Sequence, residues 1–357
     1  MVTPLPFNTS FATLEDMIAM IESNYSNSLC FILVEENTQK NCMPHVTALE
    51  SLFAVPSSLR NAKIIEIPEG GKHKNLETFA KVIEQLSVNN ADRNSLLINL
   101  GGGMICDIGG FAAACYKRGI DFINIPTSLL AMVDAAHGGK TGIDFNNLRN
   151  QIGVFAPAKM VVVDVIFLKT LPEDQVLSGF AEMVKMALIT SDDFWTAIKH
   201  AELDKVESLE PLVIEAIQKK MQIVEEDPTE KRIRKILNFG HTFGHAFETL
   251  ALENDTQLNH GYAVAMGMLC ELWLSEKMLN FDTAKRHGIT EFILSKYPKF
   301  PIQSEDFERL FAILLHDKKN STNEIKPILL EKIGGPRYDL ICSKELCFEA
   351  LQAYSIL

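Results

Sequence analysis

Short apolar runs alternate with amphipathic helical patterns over the first 170 residues, and this alternation restricts the fold more than any other feature of the sequence. The runs predicted as buried strands are residues 30–34, 62–67, 95–100, 121–125 and 160–165. Helical patterns such as that of residues 75–87 lie between them. Strands that alternate with helices are typical of a parallel sheet with helices on both faces. We therefore expect an α/β domain over residues 1–170.

The pattern changes after residue 170, where few β-rich runs occur. Amphipathic stretches predicted as helices cover residues 177–190, 209–226, 233–252 and 260–279. A chain of 357 residues is long enough for two domains. We expect a second, mostly helical domain over residues 171–357.

The chain carries a formal net charge of −12. Such an acidic protein binds nucleic acid and anionic membrane surfaces poorly, because both are themselves negatively charged. No stretch approaches the roughly 18 apolar residues of a membrane span, and the first 24 residues lack the basic start of a signal peptide. We expect a protein that binds neither nucleic acid nor membrane, in which an anionic substrate would need a local cluster of basic residues.

The seven cysteines are an odd number without CxxC spacing, and several of them lie in apolar runs. This usage is typical of reduced, buried thiols rather than of a disulfide framework. We expect a cytoplasmic protein.

A run of three glycines, residues 101–103, directly follows the predicted strand 95–100. In α/β nucleotide-binding sheets, a strand that leads into glycines and then a helix presents backbone N–H groups to phosphate. The pattern is GGGxxxD, ending at Asp107, rather than GxGxxG, and a tight turn needed only for packing is the alternative. Glu35 and Asn37 follow the first predicted strand, where an acidic side chain either accepts hydrogen bonds from the adenine ribose of NAD or belongs to a solvated turn.

Three residues of one predicted helix, Asn238, His241 and His245, recur at helical spacing and so share a face. Two histidines four residues apart can bind one metal ion, although such pairs also occur in cores and on surfaces. Two more potential ligands support a metal site: Glu182 on another predicted helix and His260 at the start of a third. One glutamate and two histidines are a common catalytic zinc set. The spacing leaves open which two histidines bind.

Basic residues recur beside glycines and motif residues in this acidic chain. They are Arg118, Lys140, Arg149, Lys185, Lys220, Arg234, Lys318 and Lys319. Any one of them alone is most simply a solvated surface charge. Together they predict a converging anion site, suited to a phosphate and a carboxylate.

Eight segments carry a resemblance to a known family. In chain order they are GGGMICDIGGFAAACYKRG, IPTSLLAMVDAAHGGKTGID, RNQIGVF, LKTLP, SGFAEMVK, LNFGHTFGHAFE, HGYAVAMG and LLHDKKN. The chain resembles the 3-dehydroquinate synthase family from about residue 30 to about residue 330. The resemblance implies a Rossmann-like NAD-binding domain, then a mostly helical metal- and substrate-binding domain, with an active site in the cleft between them.

The family motifs also imply roles for individual residues. The implied metal ligands are Glu182, His241 and His260, with zinc as the expected ion and cobalt as the alternative. His245 is then an acid/base group rather than a ligand, and Glu230 matches a second acid/base position. The catalytic residues that we predict are Glu230, His245 and Lys185.

The remaining site residues divide between cofactor and substrate. The predicted cofactor-binding residues are Glu35, Asn37, Lys74, Gly102, Gly103, Met104, Asp107, Thr127, Ser128 and Arg149. The predicted substrate-binding residues are Arg118, Asp134, Lys140, Asn150, Lys220, Arg234, Asn238 and one of Lys318 and Lys319.

The chain departs from the family pattern at several positions. Arg149 replaces the usual lysine before Asn150, and Ser128 replaces a threonine. Gly71 and Tyr262 stand where glutamates are usual. None of these changes removes an implied metal ligand or acid/base group.

The implied reaction converts 3-deoxy-D-arabino-heptulosonate 7-phosphate, a phosphorylated keto acid, into 3-dehydroquinate and phosphate. It proceeds through transient oxidation by bound NAD, β-elimination of phosphate, re-reduction and an intramolecular aldol closure. We expect a homodimer that binds this small molecule.

Three other functions are compatible with parts of the sequence. A metal-dependent alcohol dehydrogenase would not need the anion-binding set that includes Lys140, Lys220 and Arg234. A cyclase acting on another sugar phosphate differs near the second histidine and the basic residue that faces the carboxylate, so His245 and Arg234 favour the synthase. A non-catalytic NAD-binding regulator would not need an intact metal and acid/base set.

Overall fold

The structure, a computed structural model, describes residues 11–52, 56–146, 148–316 and 324–357. The chain divides into two compact units, Met1–Pro172 and Glu173–Leu357. The first unit is built around a parallel sheet, and the second consists almost entirely of helices. The predicted fold class, a Rossmann-like α/β part followed by a helical part, is confirmed.

The strands of the first unit form a parallel sheet and a hairpin. They are β1 (Phe11–Ala12), β2 (Cys30–Glu35), β3 (Lys63–Ile67), β4 (Leu96–Gly101), β5 (Asp121–Pro126), β6 (Lys140–Phe145), β7 (Leu148–Phe155) and β8 (Met160–Val162). Six of them pair in parallel in the order β1-β8-β5-β4-β2-β3. Every residue of β4 is buried, as expected for a central strand covered on both faces.

Two features of the first unit differ from the sequence-based expectation. The predicted strand 160–165 ends at Val162, because the Asp164 side chain accepts a hydrogen bond from the Ile166 N–H (2.9 Å) and starts the 3₁₀ helix Val165–Thr170. Strands β6 and β7 form an antiparallel hairpin that the apolar pattern did not indicate. A β-bulge between Ile143 and Phe145 interrupts the register of this hairpin.

The helices of the first unit connect the parallel strands. They are α1 (Leu14–Asn24), α2 (Glu36–Asn41), α3 (Met43–Leu52), α4 (Ser57–Arg60), α5 (Leu76–Val88) and α6 (Gly103–Cys115). Helix α5 begins where predicted, because the Asn75 side chain accepts a hydrogen bond from the Thr78 N–H (3.0 Å) and caps its N-terminus. Helix α6 packs on β4, β5 and β6 and follows directly from the glycine run.

A buried pair of asparagines joins the two central strands beneath the glycine run. The Asn99 side chain of β4 donates a hydrogen bond to Asn124 of β5 (2.9 Å), and Asn124 donates to the Ala136 carbonyl (3.2 Å). Helix α6 approaches this pair so closely that a Cβ on Gly109 would lie 1.9 Å from Asn99 Oδ1. The absence of a side chain at Gly109 therefore sets the distance between α6 and the sheet.

The second unit contains the long helices. Its elements are α7 (Glu173–Thr190), α8 (Asp192–Lys199), α9 (Val206–Glu226), α10 (His241–Glu253), α11 (His260–Leu279), α12 (Thr283–Lys296), α13 (Phe307–His316) and α14 (Lys344–Ser355), with the short antiparallel strands β9 (Leu329–Leu330) and β10 (Pro336–Arg337). None of the helices in the described residues combines the length and the apolar character that crossing a membrane requires.

The predicted helix 233–252 is wrong at its start. Residues Ile233–Asn238 form a 3₁₀ helix, and α10 begins only at His241. Gly240 between them has φ +80°, a left-handed conformation that interrupts an α-helix. Asn238 therefore does not share a helix with His241 and His245.

Helices α10 and α11 pack tightly over small residues. A Cβ on Gly267 would lie 1.9 Å from the Gly240 carbonyl oxygen, and one on Gly244 would lie 2.9 Å from the Ala263 carbonyl oxygen. The buried Glu271 carboxylate of α11 accepts hydrogen bonds from the Gly240 N–H (2.7 Å) and the Thr242 N–H (3.2 Å). A carboxylate there stabilises the positive N-terminal end of α10.

We predict that Gly109→Ala destabilises the protein, because the new methyl group would overlap Asn99 in a site with no exposed surface. The expected loss is about 1–3 kcal/mol of unfolding free energy, typical of overpacking. Thermal unfolding of the purified protein measures it. The matched control is Gly288→Ala at an exposed position of α12, where no atom outside the local helix backbone lies within 4 Å of the added Cβ. The control should stabilise the helix by about 0.5–1 kcal/mol, and equal behaviour of the two variants would contradict the packing argument.

Candidate active site

The first unit gathers polar residues at the carboxyl ends of its central strands. Glu35 ends β2, the glycine run follows β4, and Thr127 and Ser128 follow β5. The Thr127 N–H donates to the Gly101 carbonyl (3.0 Å), which keeps the two strand ends in register. In open parallel sheets, ligands bind at this edge.

Gly102 and Gly103 form the N-terminal end of α6, with Gly102 as the cap residue and Gly103 and Met104 in the first turn. A Cβ on Gly102 would lie 3.4 Å from the Ser128 hydroxyl, and one on Gly103 would lie 3.2 Å from the Ala135 Cβ. A side chain at either position would therefore contact the segment after β5, and no side chain caps the first turn of α6. Exposed N–H groups and the positive end of a helix dipole favour an anion such as a phosphate.

Glu35 and Asn37 lie beside this turn at the end of β2. Burial raises the pKa of the Glu35 carboxyl above its ordinary value, although a hydrogen bond from the Gly70 N–H opposes the shift. The Asn37 side chain donates a hydrogen bond to Glu69, in the loop that precedes Lys74. Polar atoms of the two predicted residues thus face the same loop.

Lys74 connects residues predicted for the cofactor with residues predicted for the substrate. Its ammonium group pairs with the Asp107 carboxylate on α6 and also donates to the Asn150 side chain on β7. The Lys74 carbonyl accepts from the Asp144 N–H (2.8 Å), and the Asp144 carboxylate accepts from the Asn150 N–H (2.7 Å). Burial raises the pKa of Asp107, and the Lys74 charge opposes that shift. The β6–β7 hairpin is therefore tied to the glycine turn through one lysine.

The other predicted residues of the first unit are dispersed. Lys140 and Arg149 are exposed on the β6–β7 hairpin, and Asp134 is half-buried in the π-helix Ala131–Ala135. Arg118 is exposed after the C-terminus of α6, just before β5 begins. It therefore lies at the amino-terminal edge of the sheet, opposite the glycine turn of the same unit.

Three side chains of the second unit converge in the arrangement expected of metal ligands. One potential ligand atom each from Glu182, His241 and His260 lies within 4.8 Å of the other two. Glu182 Oε1 is 3.5 Å from His241 Nε2 and 3.5 Å from His260 Nε2. Glu182 is buried on α7, and the two histidines begin α10 and α11.

The approach of α11 to α7 explains why His260 reaches Glu182. Gly261 packs against α7 so closely that a Cβ there would lie 1.9 Å from the Ser178 carbonyl oxygen. The Gly261 N–H also donates to the Ser178 hydroxyl (3.0 Å). Since Ser178 is one helical turn before Glu182, this contact brings the start of α11 level with the carboxylate.

The second nitrogen of each histidine has a hydrogen-bond acceptor. His241 Nδ1 lies 3.2 Å from the Phe239 carbonyl oxygen, and His260 Nδ1 lies 3.2 Å from the Glu248 carboxylate. A carbonyl or carboxylate oxygen only accepts, so both Nδ1 atoms carry protons. Burial lowers the pKa of the His260 imidazole, but Glu248 and Glu182 outweigh burial and raise it to about 9.

His245 follows His241 by one helical turn and does not belong to the group formed by Glu182, His241 and His260. Its ring centroid is 5.4 Å from that of His241 and 6.1 Å from that of His260. It belongs instead to a second group, with Glu248 and His260, whose potential ligand atoms also lie within 4.8 Å of one another. Helical spacing left open which histidines bind, whereas the family resemblance implied His241 and His260; the geometry likewise separates His245 from the pair that faces Glu182.

Three cationic side chains are buried in the second unit. Lys185, Lys220 and Arg234 expose only 1%, 4% and 1% of their surface. Lysine and arginine are rarely buried to this degree unless they are paired or functional. Lys185 pairs with Glu182 on α7, while Lys220 lies on α9, which packs against the 3₁₀ helix that carries Arg234. Three buried cations therefore lie in the same unit as the Glu182, His241 and His260 group.

Asp227 organises the loop that carries Glu230 and Arg234. Its buried carboxylate accepts hydrogen bonds from the N–H groups of Lys231 (3.0 Å), Arg232 (2.6 Å) and Arg234 (3.1 Å). Burial alone would raise the pKa of Asp227, but these backbone donors hold it below its ordinary value.

Both the backbone and the side chain of Glu230 have a distinctive conformation or contact. Its backbone adopts φ +57°, which is uncommon for a residue with a side chain and often marks a functional position. The Asn238 amide donates a hydrogen bond to the Glu230 carboxylate (2.7 Å). Although Asn238 is not on α10, its side chain still contacts a predicted acid/base residue.

The sequence reasoning missed three carboxylates of this site: Asp227, Glu248 and Glu271. Glu248 follows His241 by seven residues, so helical periodicity could have placed it on the same face of α10. No comparable spacing signal marks Glu271 or Asp227, whose hydrogen bonds depend on tertiary packing and loop conformation. Lys318 and Lys319 lie outside the described residues.

Comparison with known proteins agrees with the family resemblance of the sequence motifs. Residues 64–178 match the sequence model of the 3-dehydroquinate synthase N-terminal region, and residues 179–320 match that of its C-terminal region. The 3-dehydroquinate synthase of Parabacteroides distasonis is 43% identical over 326 residues, which are 91% of this chain and 90% of that protein.

Two solved structures share the fold over nearly the whole chain. One is 2-deoxy-scyllo-inosose synthase complexed with carbaglucose-6-phosphate, NAD⁺ and Co²⁺ (TM-score 0.81, 24% identity, 96% of this chain and 95% of that chain). The other is 2-epi-5-epi-valiolone synthase from Streptomyces hygroscopicus with NAD⁺ and Zn²⁺ (TM-score 0.83, 21% identity, 100% of this chain and 99% of that chain). At these identities the likeness concerns the fold.

We predict that Asp227→Asn destabilises the protein by about 2 kcal/mol, because an amide replaces a buried charge that accepts three backbone hydrogen bonds. Because the pKa of Asp227 is depressed in the folded protein, the carboxylate contributes stability above its unfolded-state pKa. That contribution is lost as the pH falls through the folded-state pKa. The difference from wild type should therefore be full at pH 7, begin to fall at about pH 4, and disappear only once the pH is below the lower, folded-state pKa.

Denaturant unfolding at several pH values measures this difference. The matched control is Glu226→Gln, one residue earlier and exposed at the end of α9. It should change stability by no more than about 0.5 kcal/mol at any pH. A difference between Asp227→Asn and wild type that persists unchanged in acid would contradict the role given to the charge.

Proposed function

The chain belongs to the 3-dehydroquinate synthase family, and we propose that it is a carbon–oxygen lyase that converts 3-deoxy-D-arabino-heptulosonate 7-phosphate into 3-dehydroquinate and phosphate. The observation that supports this most directly is the convergence of Glu182, His241 and His260 in a unit with three buried cations. A metal site next to basic side chains suits a substrate that is oxidised at an alcohol and carries anionic groups.

The residues fit the two groups that the reaction requires. Glu182, His241 and His260 would hold a divalent cation, zinc or cobalt, because one carboxylate and two imidazoles leave coordination positions open for substrate oxygens. Gly102, Gly103 and the start of α6 would hold the pyrophosphate of NAD. When bound, NAD accepts and returns a hydride, and the cation polarises the oxygen that is oxidised.

The chain's own groups supply orientation and proton transfer. Glu230 and His245 are the proposed acid/base residues, and the hydrogen bond from Asn238 holds the Glu230 carboxylate in one position. The strained backbone of Glu230 is stabilised by the loop around Asp227, so the carboxylate is oriented before substrate binds. Holding a flexible substrate in one pose is a large part of the catalysis that this reaction needs.

Lys185, Lys220 and Arg234 provide the positive charge that attracts the anionic substrate. The chain has a net charge of −12, which by itself repels a molecule with a phosphate and a carboxylate. Buried cations act in a medium of lower dielectric constant than water, so their attraction is less screened. Arg234 suits the carboxylate, since its guanidinium group offers paired donors. The proposed substrate-binding set also includes Asp134, Lys140 and Asn150 of the first unit.

The proposal extends to assembly and compartment. All seven cysteines lie among the described residues as free thiols, and six of them are buried, which suits a reducing cytoplasm. We expect a homodimer, to be measured by light scattering after size-exclusion chromatography.

We predict that the purified protein releases phosphate from the heptulosonate phosphate through many turnovers with NAD far below the substrate concentration. Because NAD takes up and returns the hydride within one cycle, NADH should not accumulate. Phosphate release and NADH absorbance are followed in the same sample. Glucose 6-phosphate, the control substrate, should release no phosphate. NADH that rises in step with product would indicate an ordinary dehydrogenase instead.

We predict that Glu182→Gln loses both its bound metal and its turnover. The amide keeps the size of the side chain but removes the charge of the ligand, so zinc affinity should fall by more than the roughly 10–100-fold typical of outer-shell changes. Metal content after dialysis and phosphate release measure the two effects. The matched control is Glu173→Gln, an exposed glutamate on the same helix. Full zinc occupancy at unchanged affinity in Glu182→Gln would exclude Glu182 as a ligand.

A further inference from the structure

One buried carboxylate faces the metal-binding histidines without being among the three convergent ligands. Glu248 exposes 3% of its surface, and its Oε1 lies 3.2 Å from His260 Nδ1. The other nitrogen of the same ring, Nε2, lies 3.5 Å from Glu182 Oε1, on the side where the ligand atoms converge. The imidazole of His260 therefore spans two carboxylates, one on each side of the ring.

The contact with Glu248 determines which nitrogen of His260 is available to a cation. An ionised carboxylate only accepts hydrogen bonds, so Nδ1 keeps a proton and Nε2, on the Glu182 side, is the nitrogen left for a cation. The contact also restrains rotation of the ring. Both effects matter for a histidine at the first position of a helix, since His260 is half-buried and follows the loop after α10.

The two ligand-bearing helices are linked in both directions. Glu248 of α10 reaches His260 of α11, and Glu271 of α11 caps the N-terminus of α10, where His241 lies. A buried carboxylate is costly unless it is paired, so Glu248 stabilises the fold only while it contacts a donor such as His260 Nδ1. The position of the ring and the position of the carboxylate thus depend on each other.

We propose that Glu248 is a positioning residue that orients His260 and sets the affinity of the Glu182–His241–His260 site for its divalent cation. The inference rests on the proposed function only in that the site is a metal site. Glu248 would not be a ligand of the cation in this arrangement. It acts through the imidazole, as carboxylates behind metal-bound histidines do generally, and loss of such a contact lowers metal affinity by about 10–100-fold.

A second cation held directly by His245, Glu248 and His260 is the competing interpretation, because potential ligand atoms of these residues also lie within 4.8 Å of one another. The 3.2 Å contact favours the hydrogen bond, since it is within the normal range for N–H···O. The two interpretations differ in stoichiometry. One zinc ion per chain is expected if Glu248 positions His260, and two are expected if Glu248 is a ligand.

The test measures zinc affinity of the full chain by competition with a chromophoric chelator, without substrate. Glu248→Gln keeps the size and one acceptor oxygen but removes the charge, so its affinity should fall by about tenfold. Glu248→Ala removes the acceptor, and its affinity should fall by about a hundredfold. In the cobalt-loaded protein, the visible absorption bands of the ion should shift in both variants. A substitution that merely loosens the fold would not produce this graded pattern.

The matched control is Glu253→Gln on the same helix, where the carboxylate is exposed and pairs with Arg309 instead of a histidine. Its zinc affinity and cobalt spectrum should equal those of wild type. Wild-type zinc affinity in both Glu248 variants would overturn the inference, as would two zinc ions per wild-type chain of which the variants lose one. Loss of folding in Glu248→Gln, seen by circular dichroism, would assign the residue a structural role and also overturn it.

The outcome is independent of the proposed reaction. If wild type binds zinc tightly and Glu248→Gln binds it more weakly, the inference holds even if no phosphate is released from the heptulosonate phosphate. If phosphate is released but the affinities are equal, the proposed function stands and the role of Glu248 is wrong.

Discussion

The close packing of α10 on α11 is the constraint on which the candidate metal site depends. Gly240, Gly244 and Gly267 let the two backbones approach to distances that any Cβ would prevent. The Glu271 carboxylate stabilises this arrangement, since it replaces the missing acceptors at the start of α10. His241 and His260, at the first positions of the two helices, are thereby held beside Glu182. A small shift between the helices would move one imidazole relative to the other, so the arrangement of the candidate ligands depends on glycine-mediated packing.

The same unit buries cationic side chains in an otherwise acidic protein. Charge over the whole chain is negative, but Lys185, Lys220 and Arg234 are buried among the helices of this unit. Burial of these cations is possible because carboxylates and backbone carbonyls lie nearby; Lys185 pairs with Glu182, and Arg234 donates to the Pro228 carbonyl (2.7 Å). The ion pair of Lys185 also joins one of these cations to a candidate metal ligand.

Buried carboxylates in this unit serve distinct purposes. Asp227 gathers backbone N–H groups and so fixes a loop, Glu271 caps a helix, and Glu248 contacts an imidazole. Each accepts hydrogen bonds from donors that would otherwise lack an acceptor, which offsets the cost of removing a charge from water. In the first unit, Lys74 has a comparable role with the opposite charge, because it joins Asp107 on α6 to Asn150 on the hairpin.

The sequence by itself determined the fold class, the central parallel strands, most of the long helices and the identity of the candidate ligands, because these depend on local periodicity and on motif residues close in the chain. The sequence-based prediction was wrong at two element boundaries that single residues decide. Gly240 at φ +80° divides the predicted helix 233–252. The Asp164 side chain starts a 3₁₀ helix, so β8 ends earlier than predicted. Only the tertiary structure decided that Glu248 and Glu271 join α10 to α11. Those contacts connect residues 12 to 31 positions apart. No local pattern specifies such pairs, since they follow from how closely two helices pack.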